Sequence, residues 1–233
     1  MKYKLLVGVD RDHTINSFSG KNFGSKDNWK DNIEFCYNAI EGLKMLGQFD
    51  DIAIVVVTAQ VGVAKGVMTE GRVRKVNSTM DFMLRSNGIN IHSWQYSPYV
   101  EQNLVSRWDA LGEISTLKKE YVLNKYDNRF NLIKPGDGLL KRAAKELGIE
   151  YSNIVKYVIG DSSSDAMCGF NGGGKGILID NIGLRNRHSL MGKDGNIQDK
   201  LNQPKYQGRL FVVSDLVDAA NIVIEDYMGL SNK

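Results

Sequence analysis

Hydrophobic residues fall along this chain in two recurring patterns. Continuous aliphatic runs occur at Leu5-Leu6-Val7-Gly8-Val9, at Ile52-Ala53-Ile54-Val55-Val56-Val57 and at Val155-Lys156-Tyr157-Val158-Ile159. Such runs read as strands buried on both faces, the condition of a parallel sheet. Between them, apolar residues recur every three or four positions. Ile33, Tyr37, Ile40, Leu43 and Leu46 predict a helix over Asn32–Leu46 closed by Gly47; Leu139, Leu140, Ala143, Ala144 and Leu147 predict one over Gly138–Leu147. Glu70–Asn87 reads as a further helix, Ile89–Tyr96 as an edge strand, Gly176–Ile179 and Arg209–Val213 as strands, and Ser214–Tyr227 as a closing helix capped by Ser214. Strands alternating with helices make right-handed βαβ units, so the predicted fold is an α/β three-layer, Rossmann-like sandwich around a mainly parallel sheet. A single domain over 1–233 is expected, capless or with a small insertion at 97–131, where periodicity is weakest. Ser17–Trp29 reads as a polar loop or flap, and Asn181–Gln207, with Arg185, Arg187, His188 and Lys193, as a long loop without an assigned role.

Three of these strands end in chemistry. The first runs into Asp10 and Asp12, which at i and i+2 of an extended backbone face the same side. Two carboxylates so close repel unless a cation or a proton lies between them, which makes the pair a candidate for a hard, oxygen-loving metal. One could then act as nucleophile while the other carries a proton as general acid, although an acidic turn is the plain alternative. The second strand ends at Thr58, which the crossover rule sets beside Asp10 if the two strands are neighbours; a strand-end Thr can also simply cap the next helix. The third ends at Gly160-Asp161, with Asp165 four residues on, and Asp161 can join Asp10 around one cation. Lys134 precedes a helix start, a natural place for an anion.

Composition narrows the setting. The 233 residues are 42% hydrophobic, enough for one good core, and the formal net charge of +3 neither implies nor excludes nucleic acid. Cys36 and Cys168 have no paired spacing and read as reduced thiols. There is no apolar segment of signal-peptide type and no run near about 18 apolar residues, so a soluble, cytoplasmic protein without membrane association is expected.

Taken in order, Asp10-x-Asp12-x-Thr14, Thr58, Lys134 and Gly160-Asp161-x-x-x-Asp165 resemble the four motifs of the haloacid dehalogenase superfamily of phosphotransferases. Val57-Thr58-Ala59-Gln60-Val61-Gly62-Val63-Ala64-Lys65-Gly66 also resembles the corresponding segment of heptose bisphosphate and histidinol phosphate phosphatases, a branch with little or no cap. The resemblance implies a Mg²⁺-dependent phosphatase acting on a small phosphomonoester, a sugar phosphate or related metabolite. In it Asp10 is the nucleophile, Asp12 the acid and base, and Thr58 and Lys134 the phosphate ligands. Asp10, the carbonyl of Asp12 and Asp161 hold the metal, Asp165 and Thr14 support, and Gln60 and Lys65 face the rest of the substrate. Three departures stand out: His13 where glycine is usual, Ala59 for asparagine, and Ile133 where the heptose enzymes have arginine. The zinc loop of those enzymes is missing, since 97–131 has no Cys or His. A polynucleotide 3′-phosphatase, for which Trp94, Tyr96, Tyr99, Trp108 and Lys118-Lys119 are the hint, and a non-catalytic binding domain are the alternatives.

Overall fold

A computed structural model describes residues 2–20, 22–110, 116–180, 191–192 and 195–231. In chain order the elements are β1 Leu5–Val9, β2 Asn16–Ser17, β3 Glu34–Phe35, α1 Ala39–Leu46, β4 Ile52–Ala59, α2 Glu70–Ser86, β5 Ser93–Ser97, β6 Val100–Glu101, α3 Gln102–Ala110 and β7 Val122–Leu123. They continue with α4 Gly138–Glu146, β8 Val155–Gly160, α5 Ser163–Asn171, β9 Lys175–Ile179, β10 Met191–Gly192, β11 Gly195–Asn196, α6 Ile197–Leu201, β12 Leu210–Val213 and α7 Leu216–Ser231. Six strands form one parallel sheet in the order β12-β9-β8-β1-β4-β5.

Strand alternation sorts the core into two layers. Leu5, Val7 and Val9 point to one face and pack with Leu43 and Leu46 of α1, Val76, Met80 and Leu84 of α2, and Ala219, Ala220 and Val223 of α7. Leu6, Val55, Val57 and Val158 point to the other, against Leu139, Leu140, Ala143 and Ala144 of α4 and Cys168 of α5. Gly8 belongs to this second face, where a Cβ would lie 2.9 Å from Leu140 Cδ1, so the missing side chain is what lets α4 seat on β1. Asp10 is next in that alternation, and so comes out on the face from which the segment before α4 arrives.

Several boundaries differ from the sequence reading. Helix α1 begins at Ala39, seven residues after the predicted start, because Asn38 adopts a left-handed φ of 57° and Glu34–Phe35 pairs with Asn16–Ser17 instead. The edge strand begins at Ser93, where pairing with β4 starts. The closing helix is capped by Asp215, not Ser214: Asp215 Oδ1 accepts from the N–H groups of Val217 (2.9 Å) and Asp218 (3.1 Å). Thr58 caps no helix, since α2 starts at Glu70 and is capped by Thr69, whose hydroxyl accepts from Arg72 N at 3.1 Å. The 97–131 segment carries β6, α3 and β7, a small unit whose two strands pair with each other and not with the main sheet. Among the described residues no helix is long and apolar enough to cross a membrane.

Candidate active site

The central strand β1 lies between β8 and β4, and the carboxyl ends of these three strands bring the residues together. Asp10 extends the ladder by one residue, its N–H donating to the Ile159 carbonyl at 2.8 Å. Lys134 Nζ donates to Asp10 Oδ1 at 2.6 Å, to the Val57 carbonyl at 3.2 Å and to Asp165 Oδ1, which uses all three ammonium protons. Asp165 is fixed from its other oxygen, which accepts from Ser162 N at 3.1 Å at the start of α5. It lies so close over the strand end that a Cβ on Gly160 would come within 2.3 Å of its Cγ. The glycine of the third strand therefore makes room for an acid, not for a ligand.

Carboxylate oxygens of Asp10, Asp161 and Asp165 all lie within 4.8 Å of one another. Burial pushes the Asp10 carboxyl up to about 7; Lys134 pulls it down, and Asp165 and Asp12 add to the rise. Asp161 is raised well above the usual carboxylate range by burial, then by Asp165 and Asp10. Burial lowers Lys134, but Asp10 and Asp165 outweigh it, and its affinity for the proton is raised. Two buried acids and a partly buried one, facing one lysine, leave negative charge unmatched. A donor set made only of carboxylate oxygen, without His or Cys, fits a hard divalent cation of the Mg²⁺ type better than a soft one.

Asp12 stands apart from that trio, partly exposed, and four donors hold its carboxylate. Arg11 chelates it, Nε to Oδ1 at 2.9 Å and Nη2 to Oδ2 at 3.0 Å. Gln60 Nε2 donates to Oδ2 at 3.0 Å, and the Asn16 amide, turned to satisfy both its neighbours, donates to Oδ1 at 3.1 Å. Behind it, the fully buried Arg11 uses Nη1 to reach Asn77 Oδ1 on α2 at 2.7 Å. Gln60 is thus committed inward, with a further bond to Thr58 Oγ1 at 3.0 Å, where the sequence reading turned it toward the substrate. Thr58 is buried beside Asp10's strand, as the crossover rule requires. Thr14 is buried too, but its hydroxyl has no hydrogen-bond partner. The loop it was expected to orient is held instead by backbone bonds from Ile15 N and Asn16 N to the Arg11 carbonyl, at 2.9 and 3.0 Å.

His13 sits at φ 62°, in the left-handed region where glycine is at ease, which gives the family's usual glycine a physical reason and this chain a strained turn. Its ring stacks on Phe18 with centroids 4.3 Å apart; Phe18 meets Phe23, and Phe23 meets Trp29, so the 17–29 flap is an aromatic ladder standing on the site loop. Lys65 lies buried with Nζ 4.0 Å from the centroid of Trp108. Lys118 N donates to the Ala64 carbonyl at 2.9 Å and Thr116 Oγ1 to that of Lys65 at 3.2 Å, so the 97–131 unit packs on the loop that follows β4. The aromatics that hinted at a nucleic-acid groove are spent on packing: Trp94 Nε1 donates to Asp81, Tyr96 Oη to Glu70, Tyr99 lies against Tyr121, and Trp108 against Lys65. Arg187 lies outside the described residues. Burial pushes both thiols up to about 12, so Cys36 and Cys168 are protonated and poor nucleophiles.

Arg11, Asn16 and Asn77 are the site residues that sequence reasoning missed. Arg11 sits between two aspartates inside a buried turn, and Asn77 interrupts the apolar stripe of α2 at a core position beside Val76; a polar residue in such a place was the available signal.

No protein-family model matches the chain. The D-glycero-beta-D-manno-heptose-1,7-bisphosphate 7-phosphatase of Pasteurella multocida is 27% identical over 195 residues, 84% of this chain and 89% of that protein. The enzyme of the same name from Escherichia coli K12 is 27% identical over 159 residues, 68% of this chain and 70% of its own length. Among solved structures, the D,D-heptose 1,7-bisphosphate phosphatase of B. bronchiseptica, complexed with magnesium and phosphate, superposes with a TM-score of 0.61 at 18% identity, covering 95% of this chain and 98% of that one. A protein of Mesorhizobium loti described as a HAD-like phosphatase gives 0.59 at 21% identity, over 78% of this chain and 75% of its own. These likenesses show a haloacid-dehalogenase-like fold, and the named relatives fall in the branch that the motifs resemble.

Proposed function

We infer that this chain is a phosphatase of the haloacid dehalogenase type, kin to the heptose bisphosphate phosphatases, that hydrolyses a small phosphomonoester such as a sugar phosphate. The observation that carries the reading is the meeting of Asp10, Asp161, Asp165 and Lys134 at the carboxyl end of the sheet, next to Thr58. A phosphate ester needs a nucleophile that is not repelled by it and donors for its oxygens, and this cluster offers both.

In this reading one Asp10 oxygen forms a bond to phosphorus in line as the bond from phosphorus to the ester oxygen breaks, and Asp12 delivers a proton to that departing oxygen. Asp12 then takes a proton from the water that splits the aspartyl phosphate, which releases phosphate and restores Asp10. Lys134 turns from its two carboxylates to the phosphoryl oxygens, joined by the Thr58 hydroxyl. Asp10, Asp161 and the carbonyl of Asp12 would hold Mg²⁺, with Asp165 alongside, and the cation would supply the positive charge that lets a carboxylate approach a phosphate. Lys65, beside the loop after β4, is the group proposed to meet the rest of the substrate.

The test is phosphate release from a panel of phosphomonoesters with Mg²⁺, wild type against Asp10→Asn. The substitution keeps the shape and removes the nucleophile, and a loss of at least about 10³-fold is expected. Release that survives the substitution unchanged would overturn the reading.

A further inference from the structure

The arginine between the two aspartates has no role in the chemistry so far, yet it is among the most deeply buried side chains of the molecule. Burying a guanidinium is costly unless it is paired and its N–H groups are satisfied, so its surroundings indicate what it is for. It has two partners. Nε and Nη2 grip both oxygens of Asp12, and Nη1 is anchored 2.7 Å from Asn77 on the rigid, seventeen-residue helix α2. A carboxylate gripped in this fork cannot rotate about its χ2 without breaking two charge-assisted bonds.

Resting on the phosphatase reading, we propose that Arg11, anchored by Asn77, is a positioning residue that fixes the plane of the Asp12 carboxyl for proton transfer to the leaving oxygen. Arg11 itself touches neither the phosphoryl group nor the cation. Its geometry explains why Asp10 and Asp12, two residues apart, face different work. Asp10 is held by a lysine that can turn to the substrate, whereas Asp12 is held by an arginine that points back into the protein. Lysine could not replace it, because a single ammonium on a flexible stem cannot hold both oxygens in one plane. Gln60 and Asn16 add one donor to each oxygen, but Gln60 comes from the loop after β4 and Asn16 from the two-residue strand β2, so the rigid reference is α2.

The experiment compares two substrates whose leaving groups differ in their need for a proton. An alkyl phosphomonoester requires protonation as its alkoxide departs; p-nitrophenyl phosphate does not. The ratio kcat/KM covers only the steps up to that departure. For Arg11→Lys, kcat/KM on the alkyl ester is expected to fall about 10²-fold, the lower range for loss of a positioned acid, while p-nitrophenyl phosphate changes by less than about threefold. Asn77→Ala, which keeps the arginine and frees its far end, should show the same contrast at about a tenth of the size. It carries the test if Arg11→Lys does not fold, as judged by thermal unfolding. Equal losses on both esters, or no loss on either, overturn the positioning role and leave the phosphatase reading standing. If the wild type turns over neither ester with Mg²⁺, the phosphatase reading falls and takes the proposal with it.

Discussion

At the scale of single residues, the site is a set of charges that the fold holds against their own preference. Asp10 and Asp161 are carboxyls made reluctant to ionise by burial, so folded and unfolded states bind protons differently. The Asp10 value moves from 3.8 in the unfolded chain to about 7 in the folded one, so between those limits the native state holds the extra proton. Stability of the metal-free protein is therefore expected to fall as pH rises through that window, with the share due to Asp10 lost once pH has passed about 7. Thermal unfolding in EDTA from pH 5 to pH 8 checks the sign, and Mg²⁺ is expected to restore more at pH 8 than at pH 5, since it binds the ionised acids. Asp12 matters through its partner instead. Removing it by Asp12→Ala leaves the buried Arg11 charge without its partner, and a destabilisation of about 3–5 kcal/mol is expected in urea unfolding. Asp10→Asn, which relieves a crowded cluster of acids, is expected to leave the metal-free protein at least as stable as the wild type at pH 8.

At the scale of elements, the placement of the aspartates follows from β1 itself: a strand whose alternate residues are Leu6, Gly8 and Asp10 must deliver the third where it delivered the first two. That much was legible, because burial on both faces forces an uninterrupted aliphatic run. The start of α1 was not legible. Ile33 and Tyr37 continue the helical spacing backwards, but Ile33 packs on the core from the residue before β3 and Tyr37 is 78% exposed, so the stripe is coincidence on the N-terminal side of Asn38. The inward turn of the Gln60 amide was not legible for a related reason, as pattern places a residue near a site without saying which way an amide turns. Arg11 stands inside the first motif but without a role there, Asn77 belongs to no motif, and only their shared burial joins them. Gly160 is space for Asp165, which the strand's sequence does not announce. Gly160→Ala is accordingly expected to displace Asp165 and loosen Lys134, lowering kcat by about 10²-fold with thermal stability measured alongside.

At the scale of the whole molecule, α2 gathers the pieces that surround the cleft. Glu70 in its first turn accepts from Tyr96 Oη at 2.7 Å and from Tyr121 Oη at 2.8 Å, which ties the 97–131 unit down. Arg72, two residues on, donates to the carbonyls of Gly24 and Lys26 at 3.0 and 3.1 Å and to Asp27, which ties the flap. Glu70→Ala is expected to raise amide hydrogen exchange in 116–123 without altering exchange in β1 or β8, and mass spectrometry reads both. The pairing of β1 carries one more consequence. Leu5 pairs with Ile52 on one side and with Val155 on the other. During synthesis the nucleophile strand thus meets its first neighbour early and its second only after two thirds of the chain has left the ribosome. Lys134 comes before that last third and Asp161 and Asp165 arrive with it, so the full cluster around Asp10 is not together in any nascent chain short of it. A ribosome stalled at 131 should carry a chain that neither binds Mg²⁺ at the cleft nor resists protease, and the protein becomes competent in one late step.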